Sequence, residues 1–153
     1  MKVSLVVLSV LAAAVLACNK DKFQTKPTIS IKSINTEVVP LNGSFIITLE
    51  CTDKEGDVKD TLVIIKNRIN KRTTRTVRDT LWYQFPDFPN NMRTEIVATL
   101  NYQDILSAEF PPVIPGSNPP QNERDTLILK LAVQDNAGNR SDTISTRQII
   151  VVR

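Results

Sequence analysis

The chain contains no histidine and only two cysteines among its 153 residues. Without histidine there is no Ser-His or Cys-His nucleophile pair, no ordinary zinc site and no imidazole general base. A hydrolase would need a carboxylate pair or a Ser-Lys arrangement instead, and no spacing of these residues specifies either one. The composition therefore predicts a protein that is not an enzyme.

The charge of the chain is also modest. The net charge is +3, and it falls to +2 if Lys2 leaves with a signal peptide. This charge is too small to indicate a nucleic-acid partner. Hydrophobic residues make up 41% of the chain and charged residues 23%, which is typical of an ordinary globular domain. We therefore expect one folded domain that does not bind nucleic acid.

The first eighteen residues differ from the rest. Lys2 precedes an apolar run over residues 3–16, which is too short to favour a membrane-spanning helix. The segment Val15-Leu16-Ala17-Cys18 ends this run and resembles a bacterial lipobox. The resemblance implies a signal peptide over residues 1–17, cleavage before Cys18, and attachment of acyl chains such as palmitate to that cysteine. The alternative is an ordinary signal peptide followed by a chance cysteine.

The lipobox resemblance also implies a location. Several acyl chains hold a protein on a membrane far more firmly than one chain does. Residues 18–27, which are the lipidated cysteine and a short polar segment, would then form a flexible tether. Bacteroidota-like lipoproteins can carry an acidic export signal after the cysteine, whereas Asn19-Lys20-Asp21-Lys22 has one acid only. We expect a cell-envelope lipoprotein, with the outer membrane favoured and the facing side left open.

A fourteen-residue pattern occurs twice in the remaining chain. Residues 49–62 and 131–144 share L-x-x-x-D-x-x-G-[DN]-x-x-D-T-[LI] without a gap. Each copy is typical of a strand, a tight acidic turn and a second strand, because Gly and Asp favour turns while Thr, Leu and Ile favour strands. The repeat is the strongest internal signal in the sequence.

Alternating apolar and polar residues predict about seven strands and no long helix. The expected strands cover residues 28–34, 44–51, 60–67, 76–85, 95–102, 126–134 and 143–152, with a brief helical turn in 105–110. Cys51 lies on the apolar face of its strand, so we expect a small buried hydrophobe there. With Cys18 lipidated, no second cysteine remains for an intramolecular disulfide.

This all-β pattern suits a single antiparallel β-sandwich over residues 28–153. The ending Asp135-Asn136-Ala137-Gly138-Asn139-Arg140 and the strand spacing resemble the immunoglobulin-like modules of bacterial surface proteins. In such a sandwich the two repeat copies correspond to connections that lie side by side at one end. The resemblance therefore implies that Asp53 and Asp57 approach Asp135 and Asn139 in space.

The two acidic turns are candidate metal ligands. Their oxygen-bearing side chains are those of Asp53, Glu55, Asp57, Asp135, Asn136 and Asn139. Calcium takes six to eight oxygen ligands, and two adjacent loops can supply them together with backbone carbonyls. The alternative is structural, because Gly56 and Gly138 provide positive φ and the Asp or Asn side chains bond their own backbone. No cofactor other than calcium is suggested.

Two further stretches are candidate partner-binding surfaces. The first is a basic hairpin that includes Arg68, Lys71, Arg72 and Arg75, and it suits an anionic glycan, a lipid phosphate or an acidic partner. The alternative is a solvated sheet edge whose charges prevent aggregation. The second is the aromatic stretch that contains Trp82, which either stacks on sugar rings or, as we favour, fills the core.

A long insertion over residues 103–123 holds five prolines. Loops of this length in a compact domain are usually functional or disordered. Phe110, Val113 and Ile114 would either close over the sandwich or project toward a partner. The sequence thus favours a non-enzymatic, lipid-anchored module that binds or scaffolds a protein or glycan of the envelope. A glycan-binding accessory lipoprotein, stabilised by calcium, is the alternative.

Overall fold

The computed structural model describes residues 26–58, 61–72, 80–86, 90–107 and 109–153. Its elements are β1 Thr28–Ile34, β2 Val38–Val39, β3 Ser44–Thr52, β4 Thr61–Arg68, β5 Thr80–Gln84, β6 Arg93–Asn101, α1 Tyr102–Ile105, β7 Asp125–Gln134, β8 Ile144–Ser145 and β9 Ile149–Val151. The described chain is therefore an all-β protein with one four-residue helix, as the sequence pattern predicts.

The strands form two sheets. One sheet has the order β1–β3–β6, and both of its pairings are antiparallel. The other has the order β2–β9–β7–β4–β5, with β8 also paired to β7. Within the described residues β2 and β9 pair in parallel, and the other pairings are antiparallel.

The hydrophobic core is built by the inward faces of both sheets. Because side chains alternate across a strand, β3 buries every second residue from Phe45 to Cys51. The neighbouring strand β6 contributes Ile96, Ala98 and Leu100, and the second sheet contributes Leu62, Ile64, Leu127, Leu129, Leu131 and Val133. Each large side chain buried in this way stabilises the fold by roughly 1.5–3 kcal/mol relative to exposure.

The two copies of the repeat have different connections. The second copy turns back within one sheet, because β8 pairs with β7. The first copy leaves β3 in one sheet and enters β4 in the other. The tight turn predicted within residues 49–62 therefore does not close a hairpin, because β3 and β4 lie in different sheets; we call the segment between them the sheet-crossing connection. The two copies share their turn residues, but strand partners are chosen by distant residues.

Three smaller expectations need correction. The strand β2 was not predicted, since two residues are too few to show alternation. The closing strand 143–152 is divided into β8 and β9, because Thr146 Oγ1 accepts the Leu129 backbone N–H at 3.0 Å between them. The helical turn was expected in 105–110 but lies at Tyr102–Ile105. At its start the Asp104 carboxylate accepts the Asn101 backbone N–H at 2.9 Å. Residues 76–79 of the predicted fourth strand lie outside the described residues.

Candidate functional site

The sheet-crossing connection after β3 is fixed by a neighbouring segment. The backbone N–H of Asp53 donates to Met92 O at 2.9 Å, and the N–H of Asn91 donates to Gly56 O at 3.1 Å. Gly56 has φ +69, and a Cβ there would lie 3.0 Å from Asn91 backbone atoms. Both the backbone conformation and the close approach therefore require glycine.

The turn after β7 is fixed by its own polar groups. Asp135 accepts hydrogen bonds from the backbone N–H of Asn139 at 2.7 Å and from its Nδ2 at 2.9 Å. The backbone N–H of Gly138 donates to Asp135 O at 3.1 Å, and Gly138 has φ +86. This is the turn chemistry that the structural alternative predicts for the second acidic turn.

The two acidic segments meet. One carboxylate oxygen from each of Asp53, Asp57 and Asp135 lies within 4.8 Å of the others. The backbone N–H of Asn136 donates to Asp57 O at 3.3 Å, which joins the two segments directly. The predicted approach of these residues in space is confirmed. We call Asp53, Asp57 and Asp135 the carboxylate cluster.

The carboxylate cluster is largely withdrawn from water. Asp53 is 5% exposed and Asp135 is 1% exposed. Oδ1 of Asp53 and Oδ1 of Asp57 are both buried and accept no hydrogen bond in the structure. Burial raises the pKa of the Asp57 carboxyl, and a hydrogen bond to Asp53 and the negative charge of Asp135 raise it further. The cluster therefore concentrates negative charge at a place where water cannot fully solvate it.

The other predicted members of this site lie around the cluster. Glu55 is exposed and is not one of the three clustered carboxylates. Asn136 and Asn139 belong to the turn and hold it through the hydrogen bonds given above. Arg140, which follows the second acidic turn, donates its Nε to Gln134 Oε1 at 2.8 Å.

Cys51 lies two residues before the cluster and is buried, as predicted. Burial raises the pKa of its thiol to about 12, and the neighbouring Asp53 carboxylate contributes to the rise. Because the thiolate is the nucleophilic form, this cysteine is unreactive at neutral pH.

The basic hairpin does not form one continuous surface in the described residues. Arg68 points inward, forms an ion pair with Asp125 and donates to Ile105 O at 2.5 Å. Its assignment to a partner-binding surface is therefore wrong, because its side chain satisfies buried acceptors. Arg72 pairs with Glu123 at 2.9 Å, while Lys71 is exposed. Arg75 lies outside the described residues.

Asp125 is a structurally important residue that the sequence did not reveal. Its carboxylate has no solvent exposure and accepts the Ser107 backbone N–H at 2.9 Å. Arg153 reaches the same carboxylate at 3.2 Å. Asp125 belongs to one of several Asp-Thr-Leu/Ile triplets, so its triplet alone gave no sign of this role.

Trp82 is not part of the core. It is 62% exposed, which makes the expectation that it fills the core wrong. On β5 it pairs with Val63 of β4, and it faces a shallow depression of about 300 Å³ whose rim includes Gln134 and Arg140. The core has no need of this ring because aliphatic side chains from both sheets fill it.

Backbone hydrogen bonds and a β-bridge connect the two ends of the proline-rich insertion within its described residues. Val113 and Asn122 form a β-bridge, and the Ile114 N–H donates to Gln121 O at 2.7 Å. Arg72 binds Glu123 at the base of the insertion and lowers the pKa of that carboxyl. Phe110 is 69% exposed, with the Arg153 guanidinium 4.8 Å from its ring centre. Val113 and Ile114 are exposed too, so these three side chains project outward.

No family model matches the chain, and no curated protein matches it at a significant level. Among solved structures, the chain is similar to part of a β-glucosidase from Listeria innocua in complex with glucose, with a TM-score of 0.41 and 9% identity. The match covers 84% of this chain and 16% of that enzyme. A likeness at this level establishes neither the activity nor the fold family of this chain. Within the described residues, no helix combines the length and the apolar character needed to cross a membrane.

Proposed function

We propose that this protein is a lipid-anchored envelope lipoprotein whose immunoglobulin-like β-sandwich acts as a non-enzymatic binding or structural module. The strand order supports the sandwich. In the proposed sandwich, the sheet β1–β3–β6 would supply strands A, B and E, and β9–β7–β4–β5 would supply G, F, C and an added edge strand. The lipobox-like Leu16-Ala17-Cys18 supports the anchor, although it lies outside the described residues.

The observation that carries the binding role is the outward projection of apolar side chains from an ordered insertion. Phe110, Val113 and Ile114 are exposed, and the backbone at Val113 and Ile114 is hydrogen-bonded. An ordered loop loses little conformational entropy on docking, which favours recognition. The absence of histidine removes the commonest catalytic base, which supports a non-enzymatic role.

The anchor is tested by replacing the lipidated residue. The full chain should incorporate labelled palmitate and fractionate with membranes, and Cys18→Ser should abolish both. Cys51→Ala is the matched control, because it removes the buried cysteine and leaves Cys18 in place. Palmitate on the Cys18→Ser variant, or a parent protein found only in the soluble fraction, would disprove the anchored role.

A second candidate function is glycan binding, which the exposure of Trp82 favours. Aromatic rings exposed beside polar groups stack on sugar rings, and Gln134 and Arg140 lie at the rim of the same depression. Trp82 is the only tryptophan in the chain, so tryptophan emission, excited selectively over the two tyrosines, reports this surface alone. Envelope polysaccharide should shift that emission, and Trp82→Ala should abolish retention on immobilised polysaccharide. Val97→Ala is the control because Val97 has the same 62% exposure on the other sheet.

A further inference from the structure

We propose that Asp53, Asp57 and Asp135 form a calcium site that joins the sheet-crossing connection to the turn after β7. The proposal goes beyond the anchored role, since it depends neither on lipid nor on the identity of a partner. Three features of the cluster support it: its geometry, its unpartnered oxygens and its place in the fold.

The geometry fits a calcium ion. Calcium binds oxygen at about 2.3–2.6 Å, so two ligands on opposite sides of the ion lie roughly 4.6–5.2 Å apart. The three carboxylate oxygens lie within 4.8 Å of one another and so can share one ion. The remaining positions of the coordination sphere suit backbone carbonyls and water, both of which calcium accepts. Magnesium requires a near-ideal octahedron and is a poorer match to side chains from two irregular loops.

The unpartnered oxygens favour a positive ligand at this place. Asp53 is only 5% exposed, yet its Oδ1 accepts no hydrogen bond. Oδ1 of Asp57 is in the same state. Leaving a buried polar atom without a partner costs about 1–3 kcal/mol, and more when the atom is charged. A divalent cation satisfies both oxygens and offsets the repulsion between the three carboxylates.

The position of the carboxylate cluster in the fold indicates what a bound ion would do. Antibody domains join their two sheets with a disulfide, whereas the single cysteine of this domain is buried and free. Asp53 and Asp57 lie on the connection that passes from one sheet to the other, and Asp135 follows a strand of the second sheet. A bound ion would therefore hold the sheets together at one end. Extracellular calcium modules bind with Kd values on the order of 10⁻⁴–10⁻³ M, and we expect this range here.

The test is a calcium titration of the purified protein with matched variants. Calcium at about a hundred times Kd should raise the melting temperature by roughly 10 °C, and chelation should reverse the rise. Asp57→Asn and Asp135→Asn should each weaken calcium binding at least tenfold. Glu37→Gln is the charge-matched control, because it removes one carboxylate far from the cluster. Glu37 O accepts the backbone N–H of Ile150 in β9, and Ile150 pairs with Thr126 of β7. Thr126 lies about 30 Å along β7 from Asp135.

Three results would overturn the proposal. The first is a melting temperature that does not change up to 10 mM calcium. The second is a calcium affinity that is unchanged in both Asp57→Asn and Asp135→Asn, and the third is magnesium that binds as tightly as calcium. If Asp135→Asn fails to fold, Asp57→Asn decides the question. That variant removes a charge that is unfavourable without the ion, so its calcium-free melting temperature should equal or exceed that of the parent.

Discussion

Replacement of Asp125 by asparagine should be among the most damaging single changes in the domain. Its carboxylate is fully buried and receives Arg68 on one oxygen and Arg153 with the Ser107 N–H on the other. Arg68 has 7% of its side chain exposed, so its guanidinium would remain buried without a counter-charge. Breaking a buried ion pair from one side costs about 3–5 kcal/mol. That is a large part of the 5–15 kcal/mol by which typical domains are stable.

The assay is equilibrium unfolding in denaturant, with Asp125→Asn, Arg68→Met and the double variant Arg68→Met/Asp125→Asn. Each single change should lower the unfolding free energy by about 3 kcal/mol or more, because each removes one member of a buried ion pair and leaves the other in place. The double variant should be less destabilised than the sum of the singles, since it removes both charges together. Strictly additive losses, or single losses below about 1 kcal/mol, would refute the claim that this pair is buried and coupled.

Three further predictions follow from the loops. Gly56→Ala should destabilise the domain clearly more than Gly138→Ala, because both have positive φ but only Gly56 abuts another backbone; equal losses in thermal melts would refute this. Without calcium, the raised pKa of Asp57 means that a folded-state penalty exists above that pKa and disappears as pH falls through it. Mild acidification should therefore raise the calcium-free melting temperature of the parent more than that of Asp57→Asn, and identical pH profiles would contradict it. Arg72→Ala should lower the free energy of unfolding by less than about 1 kcal/mol, because the Arg72–Glu123 ion pair is partly exposed. The same change should speed proteolysis within 111–122, and an unchanged cleavage rate would show that this ion pair does not hold the insertion.

The strands were predictable because their signal is local. Alternation over residues 28–34 gives β1 its observed bounds, and β3 and β7 differ from expectation by one residue at an end. Partner choice was not predictable in the same way. The repeat gave residues 49–62 and 131–144 the same turn residues, but only the second copy closes within its own sheet.

The candidate site was predictable in part for the same reason. Spacing placed Asp53 and Asp135 at equivalent positions of a repeat, with Asp57 near Asp53 in the same turn, and the fold brings the three together. Burial could not be read from the residue types. Trp82 is exposed although large aromatic residues usually fill cores, and Arg68 is internal although arginine is usually exposed. Both outcomes depend on which face of an edge or central strand the residue occupies, which long-range pairing decides.

The most direct test of the account is to locate a calcium-like ion in a crystal of the protein. Terbium can replace calcium at oxygen sites and gives a strong anomalous signal. The account predicts one strong anomalous peak within about 2.6 Å of a carboxylate oxygen from each of Asp53, Asp57 and Asp135. Peaks confined to other surface acids, or an ordered cluster without a peak at saturating terbium, would contradict it.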